Sequence, residues 1–122
     1  MRGATHAFWD LDNGDGEYLV SAGPGGKDQK FLDTWATKAD DPHAKSEMSK
    51  SKVAWESGKS ASACAAVDKI LAAQAAWPND KITYSWKGPN SNSAAKYFGN
   101  VGEFSLPKPP GAVGWDKAIP FP

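Results

Sequence analysis

The chain has 122 residues, and its 14 Lys plus Arg balance 14 Asp plus Glu, so the formal net charge is zero. That balance excludes a protein that grips nucleic acid or an anionic membrane surface through a basic excess. One cysteine excludes an intramolecular disulfide framework and a multi-cysteine metal site, and with only two histidines a zinc site would have to borrow carboxylates; no metal and no cofactor are expected. The length suits one domain over residues 1–122, and six Trp, five Phe and three Tyr supply core material. No apolar run approaches the ~20 residues needed to cross a bilayer. The opening Met1 to His6 lacks an apolar signal core, so the chain reads as cytoplasmic where it is made. Secretion as an effector would then proceed without a cleavable signal.

In chain order, His6 to Asp12 is strand-like, Asn13-Gly14-Asp15-Gly16 is a turn and Glu17 to Ser21 resumes the strand, which predicts a hairpin over 5–21. Asp12 opposite Glu17 sets a register that places Ser21 opposite Phe8, on the face that carries His6. The acidic turn is not a calcium loop, because Gly14 occupies a ligand position and Asp15 the glycine position. Ala22 to Gly26 breaks the strand pattern, and Gly23 to Lys27 lacks the spacing of a phosphate loop. Phe31 and Trp35, four apart, suggest a helical turn over Lys30 to Ala36. Asp40 to His43 reads as a turn and Lys45 to Lys52 as a polar surface loop, with His43 solvated.

Val53 to Ser57 is a strand candidate. Ser60 or Ser62 caps an alanine-rich main helix over about 61–77, of which Val67, Ile70, Leu71, Gln74 and Trp77 form one face and whose end is set by Pro78. Cys64 in its first turn reads as a small buried residue. Lys81 to Trp86 alternates as a strand, and Ser93 to Phe98 is a short helix stopped by Gly99. The tail 106–122, with five prolines, is predicted to lie extended and pack Trp115 and Phe121 on the body. The fold class is therefore α+β: an antiparallel sheet from 5–21, 53–57 and 81–86, packed on one main helix and a short helix over about 93–98. Most of the tryptophans read as core rather than as a ligand surface.

Chemistry concentrates at Asn90-Ser91-Asn92-Ser93, which opens the last helix. Asn and Ser are preferred helix caps, and the unpaired amides of a first turn also suit an oxyanion. An early histidine strand, a later helix, a strand carrying Tyr84 and then Gly88-Pro89-Asn90-Ser91-Asn92-Ser93 make an order that resembles the circularly permuted papain-like fold, the NlpC-like and lecithin-retinol-acyltransferase-like hydrolases and acyltransferases. The run Pro109 to Trp115 looks like the aromatic-proline tail of such domains, which occur in bacterial effectors and toxins. The resemblance implies a nucleophilic cysteine in an Asn-Cys-Asn-type turn, and that position falls on Ser91 here.

Three consequences stay open. Ser91, or Ser93 in its place, acts as nucleophile with His6 as base, Asp10 or Ser21 as orienter, and the amides of 91–93 beside Asn90 and Asn92 as oxyanion site. Alternatively the fold persists as a non-catalytic interaction module, or the turn is only a cap. The partner implied is a small-molecule or peptide substrate for the first, and a protein for the second.

Overall fold

The computed structural model describes residues 6–53, 55–58 and 60–122. Thr5 of the predicted hairpin and Ala54 of the predicted 53–57 strand lie outside those residues. The chain is α+β. Three antiparallel strands, β1 (Trp9–Asp12), β2 (Glu17–Gly25) and β3 (Phe31–Lys38), pair in the order β1-β2-β3. Helices α1 (Pro42–Ser49), α2 (Ala61–Ala75) and α3 (Ser91–Val101) follow.

The hairpin forms as its turn chemistry requires. Gly14 takes a φ of 91°, and the Asn13 Oδ1 accepts the amides of Asp15 and Gly16, both at 2.9 Å. Asp12 pairs with Glu17 and Trp9 with Val20, the predicted register. The period of two then sorts side chains onto two faces. Leu11, Val20, Ala22 and Leu32 point to one face and form the core with Val67 and Ile70 of α2, Trp77 and Phe98 of α3. His6, Phe8, Leu19, Ser21, Trp35 and Thr37 line the other face, partly covered by α1.

Several expectations are corrected. Residues 30–36 are not a helical turn: from Phe31 onward they belong to β3, paired with β2 from Phe31 opposite Gly25 to Lys38 opposite Tyr18. Phe31 and Trp35 share a face in a strand as readily as in a helix, and the pairing surface of β2 decides between them. β2 itself runs through Gly23-Pro24-Gly25. Gly25 is needed there, since a Cβ would lie 2.6 Å from an Asp33 carboxylate oxygen. The predicted loop 45–52 contains most of α1, whose start is Asp41 accepting the amide of His43 at 2.9 Å, followed by proline at the first helical position.

Val53, Trp55, Glu56 and Ser57 are irregular rather than strand. Trp55 nevertheless packs on Phe104, with ring centroids 4.7 Å apart. Lys81 to Trp86 is not a fourth strand but touches β3 through a single bridge, Phe31 to Thr83. The reason lies in how the β3 edge is satisfied. Leu32 N–H donates to Ile82 O at 2.7 Å, but the Trp77 indole N–H takes Leu32 O and Asn79 Oδ1 takes the Thr34 N–H. Side chains replace the ladder, so the edge is covered without a full strand.

The main helix matches its predicted span closely, with Ser60 Oγ accepting the Ala63 amide at 3.1 Å. Cys64 is half-buried rather than buried. α3 is longer than 93–98, because Asn90 and not Ser93 is its cap. Residues 110–111 and 113–116 of the tail are turns, Trp115 is buried, and Phe121 packs on Tyr97 at 4.9 Å. Trp35 and Trp86 are the tryptophans left exposed, at 45% and 51%. Among the described residues no helix is long and apolar enough to cross a membrane.

Phe98, 1% exposed and set against the Trp77 ring at 5.6 Å, is the largest fully buried side chain. Phe98→Ala is expected to cost about 3–5 kcal/mol in urea unfolding, whereas Trp86→Ala stays within about 1 kcal/mol of the parent.

Candidate functional site

The site is assembled from three segments. His6 leads into β1, Ser21 sits on β2 and Ser91 is the first residue of α3. His6 Nδ1 lies 2.9 Å from Ser91 Oγ, and His6 Nε2 lies 3.2 Å from Ser21 Oγ. With the ring proton on Nε2, Ser21 accepts it and Nδ1 is left as the acceptor for the Ser91 hydroxyl. A nucleophile–base pair would need this geometry, with the second ring nitrogen also hydrogen-bonded.

The pair holds together because the neighbours of Ser91 do the joining. Asn92 Oδ1 accepts the Ala7 N–H at 2.8 Å, one residue past His6, so helix and strand are tied beside the pair. Asn92 Nδ2 donates to Val113 O at 3.0 Å. Asn90 Nδ2 donates to Trp86 O and to the same Val113 O, both at 2.8 Å. Gly114 makes the approach feasible. It adopts a φ of +83°, and a Cβ there would lie 2.5 Å from the Asn90 amide nitrogen. The Trp9 indole N–H closes the junction on Ala95 O at 2.9 Å.

Not every predicted site residue joins the pair. Ser93 Oγ accepts the Asn90 N–H at 3.1 Å and donates to Gly114 O at 2.6 Å, so it braces the tail. Asp10 is also elsewhere. It pairs with Leu19 and is a diagonal neighbour of Glu17, whose carboxyl is held above its usual range, first by a hydrogen bond with Asp10 and then by the like charge. The His6 ring nitrogen that an orienting carboxylate would take is occupied by Ser21.

The predicted oxyanion site is reduced in the same way. Asn90 Oδ1 accepts the amides of Asn92 and Ser93 at 3.0 and 3.1 Å, and with Ser93 it completes a capping box. Capping therefore uses two of the three amides of 91–93. The Ser91 N–H is the one without an acceptor among the described residues.

The electrostatics favour a neutral base. Desolvation lowers the His6 pKa from its ordinary 6.5, and the negative charge of Glu47 opposes this in part. Glu47 and His43, one turn apart on α1, face His6 across an open cleft of about 560 Å³. Its other walls are Phe8, Leu19, Ser21, Trp35 and Thr37. Ser91 is 8% exposed and does not line the cleft. Among the described residues no cluster of three His, Cys, Asp or Glu side chains is arranged to hold a metal.

His43, Glu47 and Trp35 were not singled out as site residues by the sequence pattern. Asp41-Pro42 was the available signal, since an N-cap acid followed by proline starts a helix that brings His43 and Glu47 onto one face. Compared with known families, curated proteins and solved structures, the chain matches none.

Two outcomes follow. Asn90→Ala removes two cap bonds and two carbonyl bonds at a buried position, so it is expected to cost more than 2 kcal/mol in denaturant unfolding, by roughly 1 kcal/mol per bond. Ser60→Ala, an exposed cap, should cost about 1 kcal/mol or less. The depressed His6 pKa carries a sign. The unfolded chain binds the proton more readily, so this contribution to stability is full above about pH 6.5 and is lost as pH falls through the lower folded-state pKa. The urea midpoint of the parent should fall more steeply between pH 7 and pH 5, about the range in which His charges, than that of His6→Gln.

Proposed function

We propose that the chain is a hydrolase or acyltransferase-type domain of the permuted papain-like kind, acting on an amide or ester through Ser91. The observation that carries this reading is the 2.9 Å contact between His6 Nδ1 and Ser91 Oγ, made across 85 residues of sequence with the second ring nitrogen fixed by Ser21. Ser91 Oγ attacks the carbonyl carbon as its proton passes to His6 Nδ1. The tetrahedral oxyanion is met by the Ser91 N–H at the positive end of α3. Collapse breaks the bond to the leaving amine or alcohol, which departs with the proton from His6. Water, or another hydroxyl or amine, then gives its proton to His6 and attacks the acyl carbon, and the bond to Ser91 Oγ breaks as that oxygen takes the proton back from His6, restoring the starting state.

The arrangement also predicts a modest enzyme. A serine hydroxyl depends wholly on its base, and Ser21 brings no charge to stabilise the imidazolium. One oxyanion donor from the first turn, where two are common, costs further rate. A second reading, a binding module in which the His6–Ser91 bond is a strut, draws on the burial of Ser91 away from the cleft.

Labelling with a small serine-directed phosphonate separates the two. Mass spectrometry should place the adduct on Ser91, with Ser91→Ala and His6→Gln unlabelled and Ser93→Ala labelled if folded. Because the base must be neutral, the labelling rate should hold from pH 8 to near pH 6.5, the ordinary value of His6, and drop only below the depressed one. An unlabelled but folded parent leaves the binding module.

A further inference from the structure

The cleft beside His6 carries a charge that the protein does not neutralise. Glu47 is half-buried, and among the described residues no lysine, arginine or hydrogen-bond donor engages its carboxylate. The four ion pairs of the described residues all lie elsewhere, at Lys30, Lys69, Lys96 and Lys108. The remaining polar lining is hydroxyl and imidazole, with no cationic lysine or arginine. Trp35 is equally unoccupied. Its indole is 45% exposed beside Gly23, 3.6 Å from where a Cβ would stand there, and no other aromatic ring of the described residues covers it.

A half-buried carboxylate, an uncovered indole and the Phe8 ring therefore converge on one space of about 560 Å³, within the range of small-ligand sites. An indole face attracts a cation through its quadrupole, most strongly where water is excluded, and a carboxylate adds a direct ion pair. An anionic ligand would meet only repulsion from Glu47, and a purely apolar one would leave that carboxylate desolvated without a partner. We infer that this cleft binds an organic cation, an ammonium or guanidinium group carried on a short aliphatic stem, held by Glu47 and stacked on Trp35. The stem would run along Phe8 and Leu19 toward His6, so an acyl group attached to such a ligand would approach the Ser91–His6 pair from the sheet side.

Binding is read without turnover, which separates this inference from the fate of Ser91. Isothermal titration of the whole chain with N-acetyl-arginine amide, its neutral counterpart N-acetyl-citrulline amide and N-acetyl-glutamate amide provides the test. The arginine derivative should bind saturably and at least about tenfold more tightly than citrulline, with the acidic compound showing no heat. Glu47→Gln, a conservative change of a half-buried side chain, should reduce arginine to the citrulline level, and Trp35→Leu should weaken arginine several-fold, with circular dichroism verifying the fold of each. Equal affinity for arginine and citrulline, an unchanged preference in Glu47→Gln, or no saturable binding of the arginine derivative overturns the proposal.

Discussion

The carboxamide of Asn92 accepts the N–H of Ala7 and donates to Val113 O, and the position of everything at the site depends on that bridge. It joins the first strand, the last helix and the tail, segments otherwise separated by most of the chain. Asn90 reinforces it from the same turn by donating to Val113 O while capping α3. A buried amide left unpaired would cost more than the bond gains, so each of these contacts also constrains the others. Ser91 lies between the two asparagines, and its hydroxyl is thereby delivered to His6. The repeated Asn-Ser pattern is thus a division of labour in which three side chains fasten the turn and one faces the base.

The base is set by a different balance. His6 is kept neutral by desolvation and is held by two hydroxyls, which orient a ring without charging it. An adjacent carboxylate would have raised its pKa and steadied the imidazolium. Glu47 provides a weaker version of that effect from across the cleft. The consequence is a histidine ready to accept a proton at neutral pH but poorly supported once it has one.

How much of this was legible depended on range. The hairpin register followed from Gly14 and the pairing of Asp12 with Glu17, which are local, and it correctly placed Ser21 on the His6 face. The main helix followed from its alanines and the Ser60 cap. β3 was misread because the Phe31–Trp35 spacing is ambiguous and only the long strand β2 resolves it. The expected strand at 81–86 failed because Trp77 and Asn79 occupy the β3 edge first, a tertiary fact invisible in an alternating pattern. The oxyanion expectation for residues 91–93 counted free amides without counting the Asn90 cap that takes two of them. In the same way Ser93 could not be told from Ser91, since only the position of Gly114 gives the former hydroxyl its acceptor.

The cleft and the pair have complementary deficiencies. Ser91 is buried behind His6, while the cleft ends at the ring and presents unused charge and aromatic surface. A ligand anchored on Glu47 would approach the base from its Ser21 side, where the ring is exposed, and displacement of the ring from Ser21 would open the way to the hydroxyl. The Nε2 contact at 3.2 Å is the longer of the two and bonds a solvent-exposed hydroxyl, so it is the weaker restraint. The Nδ1 contact is shorter and less exposed. Motion of the ring about its Ser91 bond therefore costs less than motion about its Ser21 bond, so the contact between His6 and Ser91 is the more persistent of the two.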